Sequence, residues 1–342
     1  MRQALFTGPG QLTIEEAPVP APSDREVLVR VEACGICGSD RAIFAGHHPL
    51  KPPVVLGHEY AGVIEATGPE VRQLRAGDRV VIDPNIMCGT CAFCRRGMVQ
   101  LCVNITPLGI SRPGGFAEYS LVPEPNAYRI PDLMSFDQAA LVEPLACCVR
   151  GIDQANVRLA ATVVVLGAGP IGLLLAQLAR LRGAGRVICV EPSPERRAIA
   201  QRLAADVTID GADTAVVRAA VLDLTDGLGA DVVIEASGRT SVAELTLDLV
   251  QAGGTIVWFG ACPEHDRVAV PPFRVNDREV TIRGSNINPF THQIALTLIE
   301  RGRVAVDDLV SDHLAFEALE RALDPTQPAP RGKPVLLPGA RS

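Results

Sequence analysis

Hydrophobic and polar positions alternate along the first part of the chain. The alternation runs through VLVRVEAC (27–34), GVIEATG (62–68) and DRVVID (78–83), and Pro and Gly residues separate these segments. A period of two is typical of a β-strand with one buried face. No long segment of the first 130 residues has a helical period. The sequence therefore predicts a small antiparallel barrel or sandwich with long loops in this part of the chain.

The pattern changes near residue 145, where apolar segments begin to alternate with segments of helical period. Strands are predicted at 161–169, 186–191, 207–209, 230–237, 254–260 and 279–285. Helices are predicted from Ile171 onwards and at 194–204, 213–224 and 241–250, the second with Ser193 as its N-cap and Pro194 at its first position. Strands that alternate with helices form a parallel sheet covered on both faces. We therefore expect a doubly wound α/β domain over 146–287.

The last part of the chain, 288–342, is mixed in character. Helices are predicted at 292–302 and 316–324 and a strand at 333–338, and so short a tail is expected to pack back onto the first domain, 1–145. One uncharged stretch, from Leu159 to Ala179, is long enough to span a bilayer. The run Gly167–Gly172 at its centre would break a transmembrane helix, so a membrane protein is not expected.

Length and composition narrow the class of protein further. A chain of 342 residues fits two domains, and 47% hydrophobic with 21% charged residues excludes disorder for most of it. With 32 basic and 39 acidic side chains the net charge is −7, so nucleic acid is not an expected partner. The first residues show no secretory signal, and the ten cysteines are expected to stay reduced. These features indicate a cytoplasmic protein.

A glycine-rich motif, Gly167-x-Gly169-x-x-Gly172, follows the first strand of the α/β domain and opens a helix. In this context the motif is typical of a turn that binds the pyrophosphate of a dinucleotide on free backbone N–H groups. Glu191 ends the next strand, 19 residues after Gly172, where a carboxylate accepts the ribose hydroxyls of NAD and repels the extra phosphate of NADP. Arg196 lies just beyond and can reach such a phosphate, so NADP stays open beside NAD. The alternative is a structural turn with an ordinary surface glutamate.

Four cysteines lie close together in a segment at about 84–104. Their spacing is Cys88-x2-Cys91-x2-Cys94-x7-Cys102. Four thiolates on one loop can close a tetrahedral zinc site, and a filled ligand set indicates a structural metal, because catalysis needs an open position. From the cysteine count alone an iron–sulfur cluster, or four unrelated thiols, stays an alternative.

Further potential metal ligands occur in short motifs: Cys37-Gly38-Ser39-Asp40, Gly57-His58-Glu59 and Glu143-Pro144. Cys, His and Glu supply the sulfur, nitrogen and oxygen donors that suit zinc. With CGICGSD (34–40), the four cysteines, GAGPIG (167–172) and DGLGADVVIEASG (226–238) in this order, the chain resembles the zinc-dependent medium-chain alcohol dehydrogenases. The Glu143-Pro144 pair and GSNINPFTH (284–292) are similar to the sorbitol (polyol) dehydrogenase branch of that family.

The resemblance implies a fold and a set of roles. It implies a GroES-like, mostly β catalytic domain formed by both ends of the chain, with a Rossmann NAD-binding domain inserted between them. Cys37 and His58 would hold a catalytic zinc, with Glu59 as a ligand or near neighbour and Glu143 bound directly or through a water. Asp40 would orient His58, and Ser39 would take the proton from the substrate hydroxyl. Further cofactor contacts are expected from Pro170, Ile171, Gly260, Ser285, Asn286 and Ile287, with Lys333 at the pyrophosphate. Four aromatic residues would border the substrate pocket, or in part belong to the core: Phe44, Tyr60, Phe116 and Phe290.

The implied activity is oxidation of a secondary alcohol, in the first place a polyol, to a ketone with NAD. Other substrates stay open, namely L-threonine, a 2,3-diol, a simple alcohol or an aminocyclitol intermediate, and so does a non-catalytic nucleotide-binding protein. The resemblance also implies a homodimer or homotetramer, with the sheet edge near 280–290 as a pairing surface. The chain departs from the family at Ala42, where many relatives have the histidine that ends the proton relay. His47, His48 or water would have to replace it. Arg150 likewise stands where a histidine is common.

Overall fold

The structure is a computed structural model that describes residues 1–47, 50–328 and 330–340. The chain forms two compact units. Unit 1 contains Met1–Pro144, His292–Arg301 and Val306–Ser342, and unit 2 contains Leu145–Thr291 and Gly302–Ala305.

The N-terminal part of unit 1 is built mainly from short strands. These strands are β1 (Arg2–Gly8), β2 (Gln11–Glu16), β3 (Glu26–Gly35), β4 (Val54–Val55), β5 (Glu59–Thr67), β6 (Arg79–Ile82), β7 (Tyr119–Pro123) and β8 (Ala127–Arg129). Two short helices, α1 (Gly38–Phe44) and α2 (Phe136–Ala140), lie between or after them. The antiparallel β architecture expected from the alternating pattern is therefore confirmed for this part of the chain.

Unit 2 is a six-stranded parallel sheet with intervening helices. The helices are α3 (Val142–Ala155, which begins in unit 1), α4 (Pro170–Leu181), α5 (Pro194–Leu203), α6 (Thr214–Asp223), α7 (Thr240–Leu249) and α8 (Pro272–Asp277). The strands are β9 (Thr162–Leu166), β10 (Arg186–Val190), β11 (Val207–Ile209), β12 (Ala230–Glu235), β13 (Val250–Trp258) and β14 (Thr281–Gly284). Their spatial order is β11-β10-β9-β12-β13-β14, which confirms the doubly wound topology. The strand order reverses between β9 and β12, and in such sheets ligands bind in the crevice at that point.

The tail of the chain completes unit 1. It contains α9 (His292–Glu300), β15 (Val310–Leu314), α10 (Leu319–Leu323) and β16 (Lys333–Leu336). Strand β16 pairs antiparallel with β3, where Val335 lies opposite Gly35. The resulting seven-stranded sheet has the order β15-β16-β3-β5-β6-β8, with β7 also on β3, and a smaller sheet has the order β2-β1-β4. The core of unit 1 includes Phe6, Tyr60, Phe116 and Phe316, each at most 2% exposed.

A short segment of the tail belongs to unit 2 instead. Gly302–Ala305 lies against α4, where the buried Gln177 holds it by two hydrogen bonds. Its Nε2 donates to the carbonyl of Ala305 at 3.0 Å, and its Oε1 accepts from the N–H of Ala305 at 2.8 Å. The chain therefore passes between the units four times.

One helix start in unit 2 is predicted correctly by local signals in the sequence. Helix α5 begins at Pro194, and the hydroxyl of its N-cap Ser193 accepts from the N–H of Arg196 at 3.4 Å, as predicted. The uncharged stretch from Leu159 to Ala179 contains β9, the glycine turn and most of α4. In the part of the chain that the structure describes, no helix has both the length and the apolar character to cross a bilayer.

Candidate active site

Three side chains with metal-binding atoms meet in unit 1. Cys37 precedes α1, His58 directly precedes β5, and Glu59 is the first residue of that strand. One ligand atom from each of them lies within 4.8 Å of the other two. His58 is 6% and Glu59 1% exposed. A thiolate, an imidazole and a carboxylate form a donor set that suits zinc, and three protein ligands leave a fourth tetrahedral position open.

Asp40 determines which nitrogen of His58 is available. Its Oδ1 lies 3.2 Å from Nδ1 of His58, a close electrostatic contact that is not aligned as a hydrogen bond, and its Oδ2 accepts from the N–H of Cys37 at 2.9 Å. Nε2 is left for a metal, and the hydroxyl of Ser39 lies 3.4 Å from it. Burial alone lowers the pKa of His58, but the Asp40 carboxylate and Cys37 together raise it well above its usual range. A proton therefore competes with a metal ion for this ring.

Glu59 has one oxygen paired and one available. Oε1 accepts from Nζ of Lys333 at 2.7 Å, and both side chains are buried. Oε2 accepts no hydrogen bond within the described parts of the chain. A buried carboxylate oxygen without a donor is costly unless a cation binds it, which fits a zinc ligand. Gly35 leaves the room for this oxygen, because a Cβ at that position would lie 2.4 Å from Oε2.

Glu143 lies outside this three-residue group. It is in the first turn of α3 and is 6% exposed. Burial raises the pKa of its carboxyl to about 7; His58 opposes this increase and the Glu59 carboxylate adds to it. The structure thus brings Glu59, and not Glu143, within ligand distance of Cys37 and His58.

The four cysteines at 88–102 also come together. All four sulfur atoms lie within 4.8 Å of one another, with Cys88 3.5 Å from Cys102 and 4.0 Å from Cys94. A tetrahedral zinc with bonds of about 2.3 Å requires sulfur–sulfur distances of about 3.8 Å. Backbone N–H groups of Thr90 and Cys91 lower the pKa of Cys88 to about 5, whereas burial and the neighbouring thiols raise that of Cys94 to about 12. A single metal ion bound by all four sulfur atoms would stabilise each of them as a thiolate, so that all four cysteines could be deprotonated together.

The glycine motif of unit 2 lies at the reversal of strand order. Gly167 has a φ of +98°, and a Cβ on Gly172 would lie 1.8 Å from the carbonyl oxygen of Gly167, so both positions require glycine. Gly169 is the N-cap of α4, and nothing lies within 4 Å of where its Cβ would be. This open cradle at the start of a helix fits a pyrophosphate group.

Glu191 follows β10 and is 4% exposed. Its Oε2 accepts from the N–H of Ala168 in the glycine turn at 2.8 Å, and its Oε1 accepts from the N–H of Ser193 at 3.0 Å. Nη1 of Arg196 is 3.8 Å from Oε1. The glutamate predicted to bind ribose therefore also supports the turn predicted to bind the pyrophosphate.

Comparison with known protein families accounts for both halves of the chain. Residues 23–132 match the family model of the alcohol dehydrogenase GroES-like domain, and residues 170–301 match that of the zinc-binding dehydrogenases. The chain belongs to the zinc-dependent medium-chain dehydrogenases.

Individual relatives are similar to this dehydrogenase over nearly its whole length. D-altritol 5-dehydrogenase of Agrobacterium fabrum is 36% identical over 324 residues, which are 93% of this chain and 94% of the relative. A zinc-binding dehydrogenase structure from Sinorhizobium meliloti 1021, bound to NADP, is 37% identical with a TM-score of 0.94 and covers 98% and 99% of the two chains. The alcohol dehydrogenase rspB from Escherichia coli CFT073, in complex with NADH, is 30% identical with a TM-score of 0.91 and covers 98% and 99%.

The structure places the aromatic residues and one of the histidines for which the sequence left alternatives open. Phe44, Tyr60 and Phe116 are core residues of unit 1, and the hydroxyl of Tyr60 is 2.9 Å from that of Ser120. Phe290 is 74% exposed. Among the candidates for the end of the proton relay, His47 is exposed, and His48 lies outside the described residues.

The pairing of Lys333 with Glu59 was not expected from the sequence. The resemblance implies a contact of Lys333 with the pyrophosphate, whereas in the structure its ammonium contacts the Glu59 carboxylate. Burial alone lowers the pKa of Lys333, yet the Glu59 charge outweighs that effect and raises the pKa, so the side chain stays cationic. The sequence does contain a signal for a partner of this kind. Lys333 is the first residue of the apolar strand KPVL, and a buried lysine needs an anionic partner.

We expect Lys333→Met to destabilise the metal-free dehydrogenase. The substitution leaves the Glu59 carboxylate buried and unpaired, which costs about 3–5 kcal/mol in the free energy of unfolding. Urea unfolding monitored by circular dichroism measures this loss, and added zinc should reduce it by supplying a cation. Lys51→Met is the control, because Lys51 is the only other lysine of the sequence and is exposed. Equal stability of the two variants would contradict the prediction.

Proposed function

We propose that this dehydrogenase oxidises a secondary hydroxyl of a polyol to a ketone with NAD+. The observation that carries the proposal is the group formed by Cys37, His58 and Glu59, which offers three donors and one open position. The assignment of a polyol rests on the sequence resemblance and on the relative that acts on D-altritol. In this proposal residues 1–145 and 288–342 form the catalytic domain, and residues 146–287 form the NAD-binding domain.

The proposed roles follow from the contacts within unit 1. Cys37, His58 and Glu59 bind the catalytic zinc, which when bound acts as a Lewis acid that lowers the pKa of the alcohol. Asp40 keeps Nε2 of His58 directed to the site by its contact with Nδ1. The Ser39 hydroxyl, 3.4 Å from Nε2, would relay the substrate proton, accepting it while giving up its own proton towards the cofactor ribose. Glu143 is buried beside this group as a carboxyl that changes its charge near neutral pH, and a contact with zinc through water stays part of the proposal.

The second zinc has a structural role in this proposal. Cys88, Cys91, Cys94 and Cys102 bind it with no position left for substrate. In unit 2, the dinucleotide binds to the glycine turn through Gly167, Gly169, Pro170, Ile171 and Gly172, with Gly260, Ser285, Asn286 and Ile287 towards the nicotinamide.

We expect Glu191 to favour NAD over NADP. Its carboxylate is held at the glycine turn by the N–H of Ala168, where it would oppose a 2′-phosphate. Glu191→Ser should lower the ratio of kcat/KM for NAD to that for NADP by roughly ten- to a hundredfold, since removing a nearby like charge is worth a few kcal/mol. Initial rates with both cofactors measure the ratio. Glu195→Ser removes an exposed carboxylate from the first turn of the following helix, α5, and should leave the ratio unchanged. An unchanged ratio in Glu191→Ser would show that another residue selects the cofactor.

Metal analysis combined with a substrate panel tests the proposed function. The panel contains pentitols and hexitols, L-threonine, butane-2,3-diol, a simple secondary alcohol and an aminocyclitol, each with NAD and NADP. We expect two zinc ions per chain and the highest kcat/KM for a polyol. Turnover of another class alone would replace the substrate, and absence of turnover with two zinc ions bound would favour a nucleotide-binding protein without catalysis.

We also propose a homodimer or homotetramer in the cytoplasm. Strand β14 ends the parallel sheet, and within the described residues it pairs only with β13, so its outer edge can pair with a second copy. Light scattering should give a mass of two or four times 36.2 kDa, and a monomer would contradict the proposal. No disulfide links the described cysteines, which fits a reducing compartment. Fractionation of the source cells tests the location.

A further inference from the structure

A buried carboxylate with no role in the proposed reaction ends strand β12. Glu235 is fully buried, at 0% exposure. Its Oε1 accepts from the N–H of Ser237 at 2.7 Å, from the hydroxyl of Ser237 and from the N–H of Gly238 at 3.0 Å. Its Oε2 also accepts from the N–H of Gly238, at 3.2 Å. No arginine or lysine of the described chain forms an ion pair with it, so backbone and hydroxyl donors alone stabilise this carboxylate.

The same residue holds a second turn through its main chain. The carbonyl oxygen of Glu235 accepts from the N–H groups of Phe259 and Gly260, each at 3.0 Å. The turns at 236–238 and 259–260 are packed so closely that a Cβ on Gly260 would lie 2.2 Å from the nitrogen of Gly238 and 2.5 Å from Oε2 of Glu235. Glu235 therefore connects the turns that follow β12 and β13.

These turns also contact the glycine motif. The N–H of Ala236 donates to the carbonyl of Leu166, at the end of β9, at 2.9 Å. A Cβ on Gly167 would lie 3.3 Å from Cβ of Ser237 and 3.4 Å from the carbonyl carbon of Ala236. Strands β9 and β12 flank the reversal of strand order, and a dinucleotide binds in the crevice outside their carboxyl ends. The turn held by Glu235 thus forms one side of that crevice and packs against the glycine motif on the other side.

We propose that Glu235 is a positioning residue for the dinucleotide. Its carboxylate fixes the turns at 236–238 and 259–260 in the conformation that binds the cofactor, without contacting the cofactor itself. Hydrogen bonds to a charged acceptor are roughly twice as strong as those between neutral groups, so the turns are ordered before binding. A preordered site loses less conformational entropy when its ligand binds. This proposal rests on the proposed binding of a nicotinamide dinucleotide to unit 2.

The test compares Glu235→Gln with a matched variant on the same strand. In Glu235→Gln an amide nitrogen replaces one acceptor oxygen and faces N–H donors. Asp231→Asn is the control, because Asp231 lies near the opposite end of β12. Its carboxylate accepts from the N–H of Thr162 and from Nε2 of Gln251, each at 2.7 Å. Both substitutions remove a charged acceptor of backbone hydrogen bonds from the same strand, but only one is next to the crevice.

The binding of NADH and of NADPH is measured by nicotinamide fluorescence on the full-length, zinc-loaded enzyme, together with the Tm of each variant. We expect Glu235→Gln to raise the Kd of the preferred cofactor by about tenfold or more, and its KM in parallel, with a much smaller change in kcat. Asp231→Asn should lower Tm but change the Kd less than about twofold. A merely structural role of Glu235 would lower Tm in both variants and leave both Kd values unchanged, which would overturn the proposal.

A milder variant covers the case in which Glu235→Gln does not fold. Ser237→Ala removes one donor to the carboxylate and should raise the Kd by about threefold, in line with the loss of one hydrogen bond; an unchanged Kd in this variant would overturn the proposal. Failure of the proposed function gives a different result, because the wild-type enzyme would then bind neither NADH nor NADPH.

Discussion

Replacing Cys37 with serine is expected to abolish turnover and to remove one zinc ion per chain. The substitution exchanges a thiolate for a hydroxyl in a set of only three protein donors. We expect kcat/KM to fall on the order of 10³-fold or more, because the remaining residues cannot lower the pKa of the alcohol. NADH formation and metal analysis on the same preparation measure the two losses together.

A buried cysteine elsewhere in the chain provides the control for this experiment. Cys189 lies in β10, is fully buried and belongs to neither sulfur-containing ligand group. Cys189→Ser should reduce stability but keep two zinc ions and turnover within a few-fold of the wild type. If Cys37→Ser kept both metal ions and full activity, the assignment of the catalytic zinc to Cys37, His58 and Glu59 would be wrong.

The second large effect concerns stability. Cys91→Ser should remove the other zinc ion and lower Tm by about 10 °C or more, because structural zinc sites contribute several kcal/mol to folding. The segment from Cys88 to Asn104 contains only one buried residue, Cys102, so it has no apolar core to replace the metal. Trypsin should cut the variant after the exposed Arg95 and Arg96. Initial activity should be kept at low temperature, because the catalytic group does not include this segment.

Thermal unfolding, zinc content and limited proteolysis check this expectation. The matched variant is Cys262→Ser, which changes a half-buried cysteine outside both ligand groups and should keep two zinc ions and the wild-type Tm. Unchanged stability and two bound zinc ions in Cys91→Ser would contradict a structural role for the four cysteines.

The parts of this fold that could be predicted are those that depend on neighbouring residues. Strands and helices of unit 2 follow from hydrophobic period, and the start of α5 follows from Ser193 and Pro194. The two ligand groups follow from short motifs whose residue types suit zinc. Helix α3 was not predicted, although Glu143, Arg150 and Gln154 lie on one side of it at helical spacing and apolar residues occupy the other sides.

The parts that could not be predicted depend on contacts between distant residues. Glu59 and Lys333 are 274 positions apart, and they come together because β3 pairs with β5 on one side and with β16 on the other. For the same reason the sequence left open whether Glu59 or Glu143 joins Cys37 and His58. The sequence also leaves open whether Tyr60 and Phe116 border a pocket or belong to the core, because aromatic side chains occur in both. Their burial depends on how the sheets of unit 1 pack.

The path of the chain has a consequence for protein engineering. A fragment of residues 145–291 would include every strand of the parallel sheet but would lack Ala305, the hydrogen-bond partner of the buried Gln177 amide. A chimaera that exchanges unit 2 between homologous dehydrogenases should therefore exchange residues 302–305 together with residues 145–291. If only residues 145–291 were exchanged, the Gln177 amide would face a backbone segment that comes from the other homologue.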